Sequence, residues 1–135
     1  MSHGTKSYIK GVKVSERHGA GEWVQERLSS LILVPLTLWG LWSGWTLSGA
    51  GYDGALAWFG SPLNAILLAV TLLVSLWHMN MGLKVIVDDY IHRPASRNTL
   101  LGLIGLLCVI LAAAGVFFIV RLALGSAPLP AGFGA

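Results

Sequence analysis

Three long stretches of this sequence contain no charged residue, and they constrain the fold more than any other feature. Residues 28–52, 54–83 and 98–120 carry no Asp, Glu, Lys or Arg. Each stretch exceeds the roughly 20 residues that an α-helix needs to cross ~30 Å of hydrocarbon. The sequence therefore predicts an all-α membrane protein with three transmembrane helices. We expect these spans at about residues 27–48, 62–90 and 98–124.

Composition and charge support this class and predict the orientation of the helices. Only 11% of the 135 residues are charged, against roughly 25% in an ordinary soluble domain. Lysines and arginines precede the first span and lie between the second and third, whereas the connection around Asp53 has neither. Because cytoplasmic loops are enriched in Lys and Arg, we expect the N-terminus in the cytoplasm and the C-terminus on the opposite side. The net charge of +3 then reflects orientation and not nucleic-acid binding.

The segments outside the spans have no pattern typical of folded structure. Residues 1–20 are polar and basic, without helical or alternating apolar periodicity, and predict a flexible arm without a cleavable signal peptide. Residues 126–135 are rich in Pro, Gly and Ala and predict a disordered tail. Residues 21–125 would form the three-helix anchor. Within it, Cys108 is expected to act as a small apolar packing residue.

Proline and glycine predict where the helices begin and end. Pro62 suits the first turn of the second helix, and Pro94 sets the latest residue at which that helix can end. The sequences GAGYDG and GSP bracket a short connection, in which we expect a half-turn around residues 55–59.

His78 interrupts the second span and is the first candidate for a functional residue. No charged residue lies within five positions of it, and at ~1.5 Å per residue it lies about 16 Å from Asp89, inside the hydrocarbon. A polar group at that depth needs a partner. Neutral imidazole with Nε2 free is the form that binds haem iron. A hydrogen bond to a neighbouring helix and a role in proton relay are the alternatives.

The helical face below His78 is suited to a flat ligand. At about 100° per residue, His78 shares one face with Gly82 and Asp89. Gly82 removes a side chain where a macrocycle would lie close to the helix. The spans contain no second histidine, so a six-coordinate haem would need its other axial ligand from another subunit.

Polar residues close the second helix and precede the first span. Lys84 and Asp88 are spaced for an i, i+4 ion pair, which leaves Asp89 and Tyr90 as the functional candidates. A phenol hydroxyl can donate to a quinone carbonyl, and an adjacent carboxylate can pass protons on. Arg27 either reaches lipid phosphates or pairs with a haem propionate or an acid of the quinone site.

The run "HMNMGLKVIVDDY" from His78 to Tyr90 resembles a helix of a known family. It is similar to the second helix of the smaller, D-type cytochrome b membrane anchor of succinate dehydrogenase (succinate:quinone oxidoreductase, respiratory complex II). In that family a histidine, a glycine four residues later and an Asp-Tyr pair recur. Trp23 and Arg27 also resemble the aromatic-x-x-x-Arg start of its first span. The second acid, Asp88, and the basic arm are departures from the family pattern.

The resemblance implies specific roles, cofactors and partners. His78 would be one axial ligand of haem b, Gly82 would pack against the haem, and Arg27 would lie near the propionates or the quinone pocket. Tyr90 and Asp89 would form part of the ubiquinone site. The implied partners are a second cytochrome b anchor subunit, an iron–sulfur subunit, a flavoprotein subunit and membrane lipid. The implied location is the bacterial cytoplasmic (inner) membrane, and the chain would not be catalytic on its own.

Two other functions remain open at this level. One is a haem-b anchor of a fumarate reductase or another quinone-linked dehydrogenase, which differs in the direction of turnover. The other is a non-redox structural membrane subunit or small transporter component, in which His78 serves helix packing and no haem spectrum is expected.

Overall fold

The computed structural model describes the backbone of residues 3–125 and the side chains of residues 20–125, and its regular structure there is helical. Four helices follow one another, α1 (His3–Ser48), α2 (Gly51–Gly60), α3 (Pro62–Tyr90) and α4 (Pro94–Ala123). Three segments are long and apolar enough to cross a membrane, namely Ala20–Ser48, Pro62–Tyr90 and Pro94–Ala123. The prediction of an all-α membrane protein with three spans is thus confirmed. The direction in which the helices cross stays a prediction.

The helix ends differ from the expected ones mainly at α1 and α4. α3 has the predicted bounds, with Pro62 in its first turn. α4 begins at Pro94 and not near residue 98, because the fixed φ of proline suits the first turn and the missing N–H costs nothing there. α1 begins upstream of Gly21. The backbone of residues 3–20 belongs to α1, although the sequence there has no helical periodicity, and the flexibility of this arm stays a prediction. Residues 126–135 lie outside the described residues, so the disordered tail stays a prediction too.

The connection between the first two spans contains a ten-residue helix, α2, where only a half-turn was expected. Gly51 has a φ of +66°, a left-handed conformation that glycine adopts without steric cost, and it turns the chain from α1 into α2. Trp58 of α2 stacks on Trp39 of α1 with ring centroids 5.8 Å apart. Phe59 meets Trp58 edge-on at 5.0 Å. The Trp39–Trp58 stack therefore holds α2 against α1.

α3 is the central helix of the bundle. Both α1 and α4 pack against it, and within the described part of the chain they do not contact each other. On α4, a Cβ placed on Gly115 would overlap the Leu72 side chain of α3, which shows how closely these two helices approach. Cys108 is buried and unpaired, in agreement with the packing role expected of it. Most large apolar side chains are exposed, as expected for helices that face lipid or partner subunits.

Candidate functional site

His78 is half-buried on α3 and bonded to a serine of α1. Its Nδ1 lies 2.9 Å from the Ser29 Oγ, and Ser29 is completely buried, with 0% of its surface exposed. The Ser29 hydroxyl donates its single proton to the backbone carbonyl of Glu26 at 3.0 Å. When the hydroxyl keeps this bond, the same oxygen can only accept from His78, and the matching tautomer has the ring proton on Nδ1. In a neutral ring this leaves the lone pair on Nε2, the nitrogen free to bind a metal.

His78 also lines an open groove between α1 and α3. The groove has a volume of about 380 Å³, within the range of roughly 300–1,000 Å³ that is usual for ligand sites. Its wall is mainly apolar and comes from one face of α1. The lining residues are Ser30, Leu33, Val34, Thr37, Leu38 and His78.

The face of α3 below His78 turns away from the other helices of this chain. Gly82 and Asp89 are both exposed, whereas Val87 on the other side of the helix is buried. A Cβ built on Gly82 would meet no atom within 4 Å. Gly82 and Asp89 are therefore uncovered by the side chains of residues 20–125, on the helix face that begins at the half-buried His78.

Two ion pairs tie α3 to its neighbours near its C-terminal end. Lys84 pairs with Glu22 of α1, and Asp88 accepts from Arg97 Nε of α4 at 2.5 Å. The expected Lys84–Asp88 pair is wrong, because α4 starts at Pro94 and so brings Arg97 beside Asp88. Lys84 is left to reach across to α1.

Asp89 and Tyr90 lie together at the end of α3 and are exposed, Tyr90 by 76%. Within residues 20–125, Asp89 takes part in no ion pair. At ~1.5 Å per residue these side chains start about 16 Å along the helix from His78. The structure therefore brings Asp89 and Tyr90 together and separates them from the groove.

Arg27 is exposed on α1, and its guanidinium carbon lies 5.0 Å from the centre of the Trp23 ring, a favourable cation–π distance. At about 100° per residue, Arg27 shares a face of α1 with Val34 and Leu38 of the groove wall. It thus lies along the same face, toward the end of the bundle that holds the ion pairs. No ion pair joins Arg27 to Asp89 in the part of the chain whose side chains are described.

Ser29 is a site residue that the sequence did not predict. The adjacent Ser30 also donates to the Glu26 carbonyl, at 2.7 Å, so local sequence does not distinguish the two serines. The spacing of seven residues between Ser29, Leu36 and Ser43, all buried, is the one signal that could have placed Ser29 on the packed face. Among the described residues, no three His, Cys, Asp or Glu side chains cluster to hold a free metal ion. A haem iron needs only an axial nitrogen from the chain.

Comparison with known proteins identifies the family. The family described as succinate dehydrogenase/fumarate reductase transmembrane subunit matches residues 11–120. The succinate dehydrogenase hydrophobic membrane anchor subunit of Rickettsia typhi is 29% identical over 96 residues, covering 71% of this chain and 77% of the relative. Its counterpart in Rickettsia bellii is 34% identical over 89 residues, covering 64% and 70%. The succinate dehydrogenase membrane anchor subunit of Reclinomonas americana is 24% identical over 99 residues, covering 71% and 82%.

No solved structure matches the chain. The three candidate spans and the bacterial membrane-anchor relatives confirm the predicted location, a multi-pass protein of the bacterial inner membrane. The predicted resemblance to the smaller anchor agrees with the names of these relatives. The chain belongs to the succinate dehydrogenase/fumarate reductase transmembrane subunit family.

Proposed function

We propose that this chain is a membrane-anchor subunit of succinate:ubiquinone oxidoreductase. It binds haem b jointly with a second cytochrome b anchor subunit and forms part of the ubiquinone-reduction site. An iron–sulfur subunit and a flavoprotein subunit would dock on the side where α3 ends. Family membership and the relatives named succinate dehydrogenase anchors support this assignment. The observation that carries it is His78, with Nδ1 satisfied inside the chain and Nε2 left for a ligand.

The residues around His78 fit haem b. His78 would supply one axial nitrogen, the apolar groove would take part of the macrocycle, and the open surface at Gly82 would let the ring approach the helix. Arg27 would offer a cation for a propionate. Bound haem would supply one-electron redox chemistry. Because the stripe below His78 is uncovered, the second axial ligand and the far wall would come from the partner subunit.

Asp89 and Tyr90 fit a site that reduces a quinone. Reduction to the quinol takes up two electrons and two protons, so the pocket needs a donor for the carbonyl oxygen and a supply of protons. The Tyr90 hydroxyl would donate a hydrogen bond to the carbonyl, and the Asp89 carboxylate would pass protons from water. Arg97 pairs with Asp88, the neighbouring acid on α3, and this favours Asp89 for that role.

The Ser29–His78 hydrogen bond also supports a second candidate function. A histidine that serves only helix packing would make the same bond across to α1, in a non-redox structural subunit. Removal of the imidazole should remove haem from a haem-binding anchor, whereas a structural subunit would have no haem to lose.

The test of the haem assignment is His78→Ala in the purified complex. Reduced-minus-oxidised difference spectra should lose the haem b bands, because one axial ligand is gone, while covalent or bound flavin reports that the complex assembled. His92→Ala is the matched control, since His92 is exposed and lies beyond the end of α3. An unchanged haem b spectrum in assembled His78→Ala would show that the proposed haem site is wrong.

The test of the quinone assignment is Tyr90→Phe. Loss of one hydrogen bond, worth about 0.5–1.5 kcal/mol, should lower succinate-supported ubiquinone reduction roughly two- to tenfold. Reduction of an artificial acceptor by the flavoprotein should stay normal. Tyr52→Phe, an exposed tyrosine on α2, is the control and should change neither rate. Normal ubiquinone reduction in Tyr90→Phe would contradict the assignment, and equal loss of both rates would indicate damage to assembly.

A further inference from the structure

We propose that Ser29 is a positioning residue for His78: it accepts the Nδ1–H hydrogen bond and so fixes the orientation and the tautomer in which Nε2 meets the haem iron. The inference rests on the proposed haem site. It adds a role for a residue of α1, 49 positions away in the chain, that has no iron-binding chemistry of its own.

Ser29 is placed to accept a hydrogen bond from His78 and not to donate one. Its side chain is completely enclosed, so water cannot compete for its oxygen. Its one proton is assigned to the Glu26 carbonyl at 3.0 Å, which leaves the oxygen as an acceptor for Nδ1, 2.9 Å away. An imidazole nitrogen that receives no proton from serine must carry its own.

Ser29, and not the neighbouring serine, makes this contact. Ser30 bonds to the same Glu26 carbonyl at 2.7 Å but lines the open groove. Two adjacent serines with the same backbone bond are thus about 100° apart around α1, and only one is bonded to His78. Ser29 faces His78 because α1 packs on α3 along the buried stripe of Ser29, Leu36 and Ser43.

The Ser29 bond should change how His78 acts as a metal ligand. A histidine that donates its other ring N–H to an acceptor is held in one orientation and is more basic, and loss of such an acceptor typically weakens metal binding about 10- to 100-fold. A more basic ligand favours the oxidised iron. Removal of the acceptor should therefore weaken haem binding and shift the haem midpoint potential to a more positive value.

The experiment compares Ser29→Ala and Ser29→Cys with wild type in the assembled complex. Haem is measured per flavin under limiting haem supply, and the midpoint potential is measured by redox titration of the haem b band. Ser29→Ala should retain haem about 10- to 100-fold less tightly and have a more positive potential. Ser29→Cys nearly keeps the side-chain volume with a weaker acceptor, so its potential should shift in the same direction by less.

Ser43→Ala is the matched control. Ser43 is a buried serine on the same stripe of α1, two heptads from Ser29, and should give wild-type haem content and potential. A merely structural serine would affect assembly in Ser29→Ala and Ser43→Ala alike and leave the potential of Ser29→Cys unchanged. Should Ser29→Ala not assemble, the potential of Ser29→Cys decides the question.

Failure of this inference can be told apart from failure of the proposed function. If His78→Ala loses haem while both Ser29 variants keep the wild-type potential and haem content, the positioning role is wrong and the haem site stands. If His78→Ala keeps its haem b, the proposed function itself is wrong.

Discussion

The two ends of the bundle are held together by different chemistry. At one end, which we call the charged end, the ion pairs Lys84–Glu22 and Asp88–Arg97 tie α3 to α1 and α4. At the opposite, aromatic end, Trp58 of α2 stacks on α1. Exposed ion pairs contribute little to stability, whereas a stacked aromatic pair adds about 0.5–1.5 kcal/mol beyond its burial.

The residues proposed to bind haem and quinone are not distributed evenly between the two ends. All five residues proposed to meet haem or quinone lie in the half of the bundle toward the charged end, and all of them except the half-buried His78 are exposed. At the aromatic end Trp39, Trp58 and Phe59 pack on one another, and no residue proposed to meet haem or quinone lies there. Substitutions at the charged end should therefore change activity without large loss of stability, and substitutions toward the aromatic end should do the reverse.

The largest expected effect is at the charged end, in Asp89→Asn. If this carboxylate supplies protons to the quinone, ubiquinone reduction should fall on the order of 10²-fold, the lower range for general acid–base catalysis. Stability and artificial-acceptor activity should stay near wild type. Asp88→Asn is the matched control, since Asp88 is engaged by Arg97, and it should lower the rate much less. If Asp88→Asn lowered ubiquinone reduction more than Asp89→Asn, Asp88 and not Asp89 would be the proton donor.

The next effect concerns the half of the bundle toward the aromatic end, where α4 approaches α3 at Gly115. Gly115→Leu places a side chain where Leu72 already lies, and overpacking of this kind costs about 1–3 kcal/mol. Thermal unfolding of the purified complex should occur at a lower temperature, while the quinone reduction rate per assembled complex should not change. Gly102→Leu, on the same helix with no atom near its Cβ position, should leave the unfolding temperature unaltered. Equal destabilisation by both variants would contradict the close approach at Gly115.

A smaller effect is expected at the aromatic end itself. Trp39→Ala removes the stack on Trp58, and the free energy of unfolding in detergent should fall by about 0.5–1.5 kcal/mol from the pair alone. Haem content should be unchanged. Trp45→Ala is the control, because Trp45 is largely exposed, and it should cost less. Loss of haem in Trp39→Ala would show that the two ends are not independent.

The spans could be predicted from the sequence because membrane insertion is decided by length and hydrophobicity, which each segment carries by itself. The bounds of α3 follow from Pro62 and Pro94 for the same local reason. The start of α4 was predicted too late, since Pro94 is equally compatible with ending one helix and beginning the next.

Contacts between helices could not be predicted from local sequence. Lys84 and Asp88 have the spacing for a pair on one helix, yet each finds a partner on another helix because Glu22 and Arg97 are brought alongside. Ser29 was overlooked for the same reason, as its importance arises only when α1 packs on α3. His78, Gly82 and Asp89 could be grouped beforehand since they lie on one helix at helical spacing.

The smallest expected effect is the contribution of an ion pair at the charged end to stability. A double-mutant cycle of Glu22→Gln and Lys84→Gln isolates the energy of their ion pair, and both side chains are more than 40% exposed. The coupling free energy of unfolding should be at most about 0.2–1 kcal/mol, and it should decline as salt is raised, because screening weakens exposed pairs. Glu26→Gln is the control, since Glu26 forms no ion pair among residues 20–125, and it should show no coupling to Lys84. A coupling well above this range that persisted in high salt would mean that the charged end is held as firmly as the aromatic end, and the division between the two ends would fail.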